Sequence, residues 1–181
     1  MQIELFEQFD KLKVVCGTDE AGRGPLAGPV VAAAVILPND FPIEILNDSK
    51  KMNQKDRIKA EKVIKEKAVA WSVTAVSHKT IDKINILNAS LLAMKKCYEK
   101  IRDKGFEVSI LLCDGNKTPD VDCPVEAIVK GDGKIPEIMA ASILAKNHRD
   151  RLMVMAHEKW PQYGFNRHNG YPTKEHYEAL G

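Results

Sequence analysis

The chain has 181 residues, 44% hydrophobic and 29% charged, with a formal net charge of +2. That length suits one globular domain, taken as residues 1–181, and the composition excludes a disordered or collagen-like chain. No apolar run reaches the roughly 20 residues of a membrane-spanning helix. The start, MQIELFEQFDKLK, has neither the basic nor the long apolar region of a secretory signal, so a cytoplasmic, soluble protein with no membrane partner is expected. Cys16, Cys97, Cys113 and Cys123 form no C-x-x-C pair, which favours reduced, buried thiols over zinc or disulfides. A total charge near zero leaves nucleic-acid binding to local basic clusters.

In chain order, KVVCGT (13–18) reads as a short strand that delivers Asp19 and Glu20 to its end. A glycine loop follows, then PVVAAAVILP (29–38), a largely buried strand. Residues 53–68 carry Ile58, Val63 and Ile64 among lysines and glutamates, the pattern of a solvated amphipathic helix. AVAWSVTAVS alternates like a strand. Two helices are predicted between Thr80 and Asp103, the second carrying Ile86, Leu87, Leu91, Met94 and Tyr98 and closed by Gly105. EVSILLCDGN is a strand and turn, VEAIVK a further strand, and PEIMAASILAKNHRDRLMVMAHEKW a long helix with small residues for close packing. A polar aromatic loop leads to a short last helix starting near Thr173. Strands and helices alternate, and the adjacent first two strands imply a hairpin. The expected class is therefore α/β with a mixed central sheet flanked by helices.

Three places put an acid where an apolar strand ends: Asp19 and Glu20 in VVCGTDE, Asp114 in SILLCDGN, and Asp132 in AIVKGDGK. Any one alone reads as a turn residue, since Asp followed by Gly is common in turns. Three recurrences point elsewhere, because strand ends are where α/β sites assemble. Four converging carboxylates repel one another and call for hard divalent cations, Mg2+ or Mn2+. Paired ions on such a cluster serve phosphodiester hydrolysis. Two apparent motifs fail on context. GRGPLA matches G-x-G-x-x-A, but Pro25 and a strand follow where a helix should start. DGNKTPDVD spaces its oxygens like a calcium loop, yet Pro119 stands at the sixth position and Val125 at the twelfth.

The blocks GTDEAGRGPLAGPVVAAAVIL, LNDSKKM, INILNASLLAM, CDGNK, VKGDGKIPEIMAASILAKNHRD and QYGFNRHNGYPT, in order over roughly residues 13 to 175, resemble ribonuclease HII, the bacterial type 2 ribonuclease H. The resemblance implies a ribonuclease H-like fold. It also implies an endonuclease that cuts the RNA strand of RNA/DNA hybrids and nicks 5′ to single ribonucleotides in duplex DNA, giving 3′-hydroxyl and 5′-phosphate with two Mn2+ or Mg2+ ions. Its metal-binding acids fall on Asp19, Glu20, Asp114 and Asp132, the four that the strand-end argument selects. Its glycine-arginine-glycine motif falls on Gly22, Arg23 and Gly24, where a close main chain would sense the ribose 2′-hydroxyl. Its junction tyrosine falls on Tyr171. DSKK implies Ser49 and Lys50 as phosphate or ribose contacts, and Lys146, His148 and Arg149 are close enough in sequence to Asp132 to aid phosphate binding. Gly133 stands where the family commonly has serine. Family members usually continue into a further basic segment, so a shortened C-terminal helical part is expected. A monomer is expected. A replication clamp is a conceivable partner for this family, though no short terminal motif supports one here.

Overall fold

The computed structural model describes residues 14–47, 49 and 51–181. Its strands are β1 (Val15–Ala21), β2 (Val30–Ile36), β3 (Ala70–Val76), β4 (Ile110–Asp114) and β5 (Val125–Ile128). Its helices are α1 (Gln54–Lys67), α2 (His78–Arg102), α3 (Pro136–Lys159), α4 (Phe165–His168) and α5 (Lys174–Leu180). Lys13, the first residue of the expected first strand, lies outside the described residues.

The sheet runs β3-β2-β1-β4-β5, with β3, β2 and β1 antiparallel and β1, β4 and β5 parallel. The mixed sheet expected from the hairpin is thus present. β2 is buried along its whole length because both faces are covered. Its even-numbered residues Val30, Ala32, Ala34 and Ile36 join Ala89, Ala93, Met94, Cys97 and Ile101 of α2. Its odd-numbered Val31, Ala33 and Val35 meet Ala60 and Ile64 of α1 and Ala140, Ala141, Ile143, Leu144 and Ala145 of α3. The result is a three-layer α/β/α arrangement with β1 at its centre.

Local chemistry sets the helix ends. Asn53 caps α1 by accepting the Asp56 N–H at 2.9 Å, Pro136 opens α3, and Thr173 caps α5 by accepting the His176 N–H at 3.2 Å. α2 is two helical segments, as its pattern predicts. Asn85 breaks it at φ 65° and ψ 167°, and its side chain accepts the Asn88 N–H at 3.0 Å, restarting the helix. The alanines of α3 let it lie close on β1. A Cβ on Gly17 would stand 2.3 Å from the main-chain carbon of Glu137, so only glycine fits there.

Two boundaries depart from the sequence reading. β1 does not end before its acids: Asp19, Glu20 and Ala21 still pair with Ala33, Ala32 and Val31, while pairing with β4 stops at Thr18 and Cys113. The acids therefore stand beyond the parallel ladder on a strand held from one side. Asp132 is not at a strand end either. β5 closes at Ile128, Lys130 turns left-handed at φ 58°, and Asp132 sits in a 3-10 turn over Gly131–Gly133.

Candidate active site

Alternation along β1 turns Asp19 to the α3 face and Glu20 to the α2 face. On β4, Leu111 and Cys113 belong to the α2-side core, so Asp114 faces α3 as Asp19 does. Because Thr18 pairs with Cys113, the next residues on the two strands, Asp19 and Asp114, are neighbours across the ladder. The 3-10 turn brings in the third acid, and the Asp132 main-chain N–H donates to Asp114 Oδ1 at 3.2 Å. Carboxylate oxygens of Asp19, Asp114 and Asp132 lie within 4.8 Å of one another, with Asp19 and Asp132 buried.

Glu20 stands outside this trio. Its Oε1 takes an ion pair from Arg23 Nη1 at 3.3 Å, and it remains close enough to Asp19 and Asp114 to repel both. Burial first, then the charges of Glu20 and Asp114, push the Asp19 carboxyl well above the usual range. Burial likewise raises Glu20, with Arg23 pulling the other way.

Asp19 is steadied by two donors, the Glu20 N–H at 2.7 Å and the Ser142 hydroxyl on α3. Ser142 Oγ lies 2.8 Å from Ser49 Oγ. As Ser142 gives its proton to Asp19, Ser49 gives its own to Ser142. Ser49 is therefore turned inward, only 2% exposed, and its hydroxyl meets Ser142 instead of solvent. Lys50, the other residue expected from that segment, and Asp48 lie outside the described residues.

The Gly22–Gly24 loop leaves β1 beside the trio, with Arg23 and Gly24 exposed. Gly22 has φ 112°, and a Cβ there would meet Arg149 Nε and the Pro29 carbonyl at 2.6 Å. Tyr171 is 43% exposed, and its ring comes within 3.4 Å of a Cβ built on Gly24, so loop and tyrosine form one surface. Two histidines fix the tyrosine's main chain. His176 Nδ1 donates to the Tyr171 carbonyl at 2.9 Å; His168 accepts the Gly170 N–H on Nδ1 and donates from Nε2 to the Tyr163 carbonyl at 2.7 Å. The two imidazoles stack at 4.6 Å.

Of the basic residues of α3, Arg149 takes another place than the sequence suggested. Arg149 is 1% exposed and bonded to main-chain carbonyls, so it cannot meet a phosphate. His148 is half-buried beside Arg151, Lys65 and Glu61, and burial together with the Arg151 charge lowers its pKa. Lys146 is partly exposed and paired with Asp150 in a groove of about 880 Å3 also lined by Arg57, Arg151 and Arg167. Ser142, His168 and His176 carried no sequence signal of their own; each acts through a contact that only the fold creates. Cys16, Cys97 and Cys113 are buried free thiols, as expected, while Cys123 is half-buried. Among the described residues no helix is long and apolar enough to cross a membrane.

Comparison with known proteins agrees with this geometry. A family model described as Ribonuclease HII matches residues 16–181. Ribonuclease HII of Dechloromonas aromatica is 53% identical over 92% of this chain and 84% of its own length. The ribonuclease HII solved as a complex with PCNA from Archaeoglobus fulgidus superposes with a TM-score of 0.72 at 29% identity, over 92% of this chain and 86% of that one. Ribonuclease H2 of Pyrococcus horikoshii gives 0.70 at 25% identity, over 92% and 84%. With a model match over nearly all the described residues and half-identical relatives, the chain belongs to the ribonuclease HII family, the divalent-metal-dependent ribonucleases H that cut RNA/DNA hybrids endonucleolytically.

Proposed function

We propose that this ribonuclease H also nicks immediately 5′ to a single ribonucleotide in duplex DNA, leaving a 3′-hydroxyl and a 5′-phosphate, and that it does so with two Mg2+ or Mn2+ ions. The observation that carries the reading is the trio of Asp19, Asp114 and Asp132. Its donors are all hard oxygens, two of the three are buried, and burial together with the charges of Glu20 and Asp114 raises the Asp19 carboxyl. Those residues fit hard divalent cations. Asp19, Asp114 and Asp132 would hold the ions with Glu20 beside them, and bound ions would supply Lewis-acid polarisation of the phosphate and a more acidic water.

The chain's own groups do the rest. Ser142, backed by Ser49, keeps one Asp19 oxygen engaged and so fixes the carboxylate's rotation. Arg23 holds Glu20 at the mouth. The bare main chain at Gly22 and Gly24 lets a ribose approach closely enough for its 2′-hydroxyl to be read, and the Tyr171 ring over Gly24 offers a flat surface to the neighbouring sugar. Lys146, and Lys50, are proposed to contact the duplex backbone. The chain is read as one monomeric, cytoplasmic catalytic unit. The Archaeoglobus fulgidus relative, solved with PCNA, lends support to a clamp as partner.

The test is a duplex carrying one ribonucleotide, incubated with Mg2+, Mn2+ or chelator, with the cut mapped to single-nucleotide resolution. A metal-dependent nick 5′ to the ribonucleotide is expected; cleavage of RNA/DNA hybrid without that nick overturns the finer reading. Tyr171→Ala is expected to lower nicking about tenfold to a hundredfold with little change in thermal stability, since the exposed ring contributes position more than packing.

A further inference from the structure

Arg149 is a large, almost wholly buried side chain, and among the described residues it forms no ion pair with a carboxylate. Its guanidinium donates three ways instead: Nε to the Pro29 carbonyl at 3.0 Å, Nη2 to the Ala27 carbonyl at 3.0 Å, and Nη1 to the Asn169 carbonyl at 2.9 Å. Two of these acceptors lie where the Gly22–Gly24 loop returns to β2. The third lies two residues before Tyr171. A planar fork with fixed donor directions sets three peptide groups at once, which a lysine ammonium cannot do.

The contact is tight on every side. Side chains at Gly22 or Gly28 would strike the Arg149 guanidinium or the neighbouring Met153, and the Leu26 N–H donates to the Gly170 carbonyl at 2.9 Å, joining the two loops directly. Gly170, at φ 80°, has no room for a Cβ, which would lie 2.4 Å from the Ala27 carbonyl oxygen.

We infer that Arg149 is a positioning residue for substrate specificity, locking the register of the Gly22–Gly24 loop against Tyr171 and thereby fixing which phosphate is cut. This rests on the reading that those two loops recognise the ribonucleotide junction. Arg149 is buried from solvent and its three donors are bonded to carbonyls of both loops, so its influence passes through the spacing of the two loops.

The experiment uses an end-labelled DNA duplex with a short run of ribonucleotides in one strand, and compares the pattern of cuts made by the wild type, Arg149→Lys, Gly170→Ala and Tyr171→Ala, each checked for a cooperative thermal transition. Arg149→Lys keeps a cation but loses the fork; Gly170→Ala presses on the Ala27 carbonyl that Arg149 Nη2 holds, and so shifts the loops with the guanidinium itself intact. For both, kcat/KM at the main site is expected to fall about tenfold or more while cuts at neighbouring phosphates rise, the outcome of a misplaced substrate. A purely structural arginine would lower the melting temperature and the amount of active enzyme and leave the pattern alone. If Arg149→Lys does not fold, Gly170→Ala decides. An unchanged pattern in a folded variant, with Tyr171→Ala redistributing the cuts, overturns the inference alone; no junction preference in the wild type overturns the loop reading and the inference with it.

Discussion

Among the described residues two places bury carboxylates, and they are wired in opposite ways. In the seam between α1 and α3, Glu61 accepts from both guanidinium nitrogens of Arg151 at 2.8 Å, from Lys65 at 2.7 Å and from Asn147 at 2.9 Å. Those donors outweigh burial and pull its carboxyl down to about 2. Around Asp19 the neighbours are other acids, and the carboxyl moves up. Burial is common to both; the partners differ. Matched charge serves structure, whereas the unmatched charge around Asp19 costs stability until a cation arrives, and so marks a binding site.

The comparison breaks most sharply under mutation. Asp114→Asn is expected to lower hybrid cleavage about a thousandfold or more, equivalent to roughly 4 kcal/mol of barrier, measured as single-turnover rate in Mg2+. Glu61→Ala should do the converse: it removes the buried acceptor shared by Arg151, Lys65 and Asn147 and costs about 2 kcal/mol of unfolding free energy in urea, while the rate per folded molecule stays within about twofold. A smaller effect sharpens the contrast. In metal-free protein Asp114→Asn should raise stability by about 1 kcal/mol, some 2–4 °C in Tm, because one repelling charge is gone. A fall in Tm would mean that Asp114 is a structural acid.

The pH dependence gives the finest test. A carboxyl raised in the folded state favours folding at low pH, and that contribution is lost as pH rises through its folded pKa; Glu61 contributes above its unfolded value near 4.5 and loses that as pH falls toward about 2. Metal-free wild type should therefore gain Tm relative to Asp114→Asn on mild acidification from neutrality, before Glu61 titrates. Saturating Mg2+ should remove that gain. Parallel Tm curves for the two proteins would refute the assignment of strain to the pocket.

Much of the site could be read along the chain because alternation and strand ends are local properties. Asp19 and Asp114 were legible as acids closing apolar runs, the β1–β2 hairpin as two adjacent strands, and the α2 break as two helical patterns meeting near Asn85. Other features were not legible, for identifiable reasons. The split between Asp19 and Glu20 follows from strand pairing that continues on one side only. Asp132 was legible as an acid of the site, but the left-handed Lys130 that turns it toward Asp114 is marked by no periodicity. The Ser49–Ser142 bond spans 93 residues, and Arg149 reaches across 120 to Pro29, so neither leaves a repeating trace. Arg149 also shows how a basic residue near a polyanion site can be spent wholly on the protein's own carbonyls.

The contact between Gly17 and the first turn of α3 has a consequence for how such a sequence can change over time. Main chain meets main chain there, so the depth at which the first turn of α3 sits on β1, and with it the reach from Ser142 to Asp19, is gauged by peptide planes. Substitutions on the α2 side of the sheet can accumulate without resetting that gauge. The pocket is thereby insulated from drift on the α2 side of the hydrophobic interior, while Gly17 and the small residues of α3 are closed to experiment by evolution.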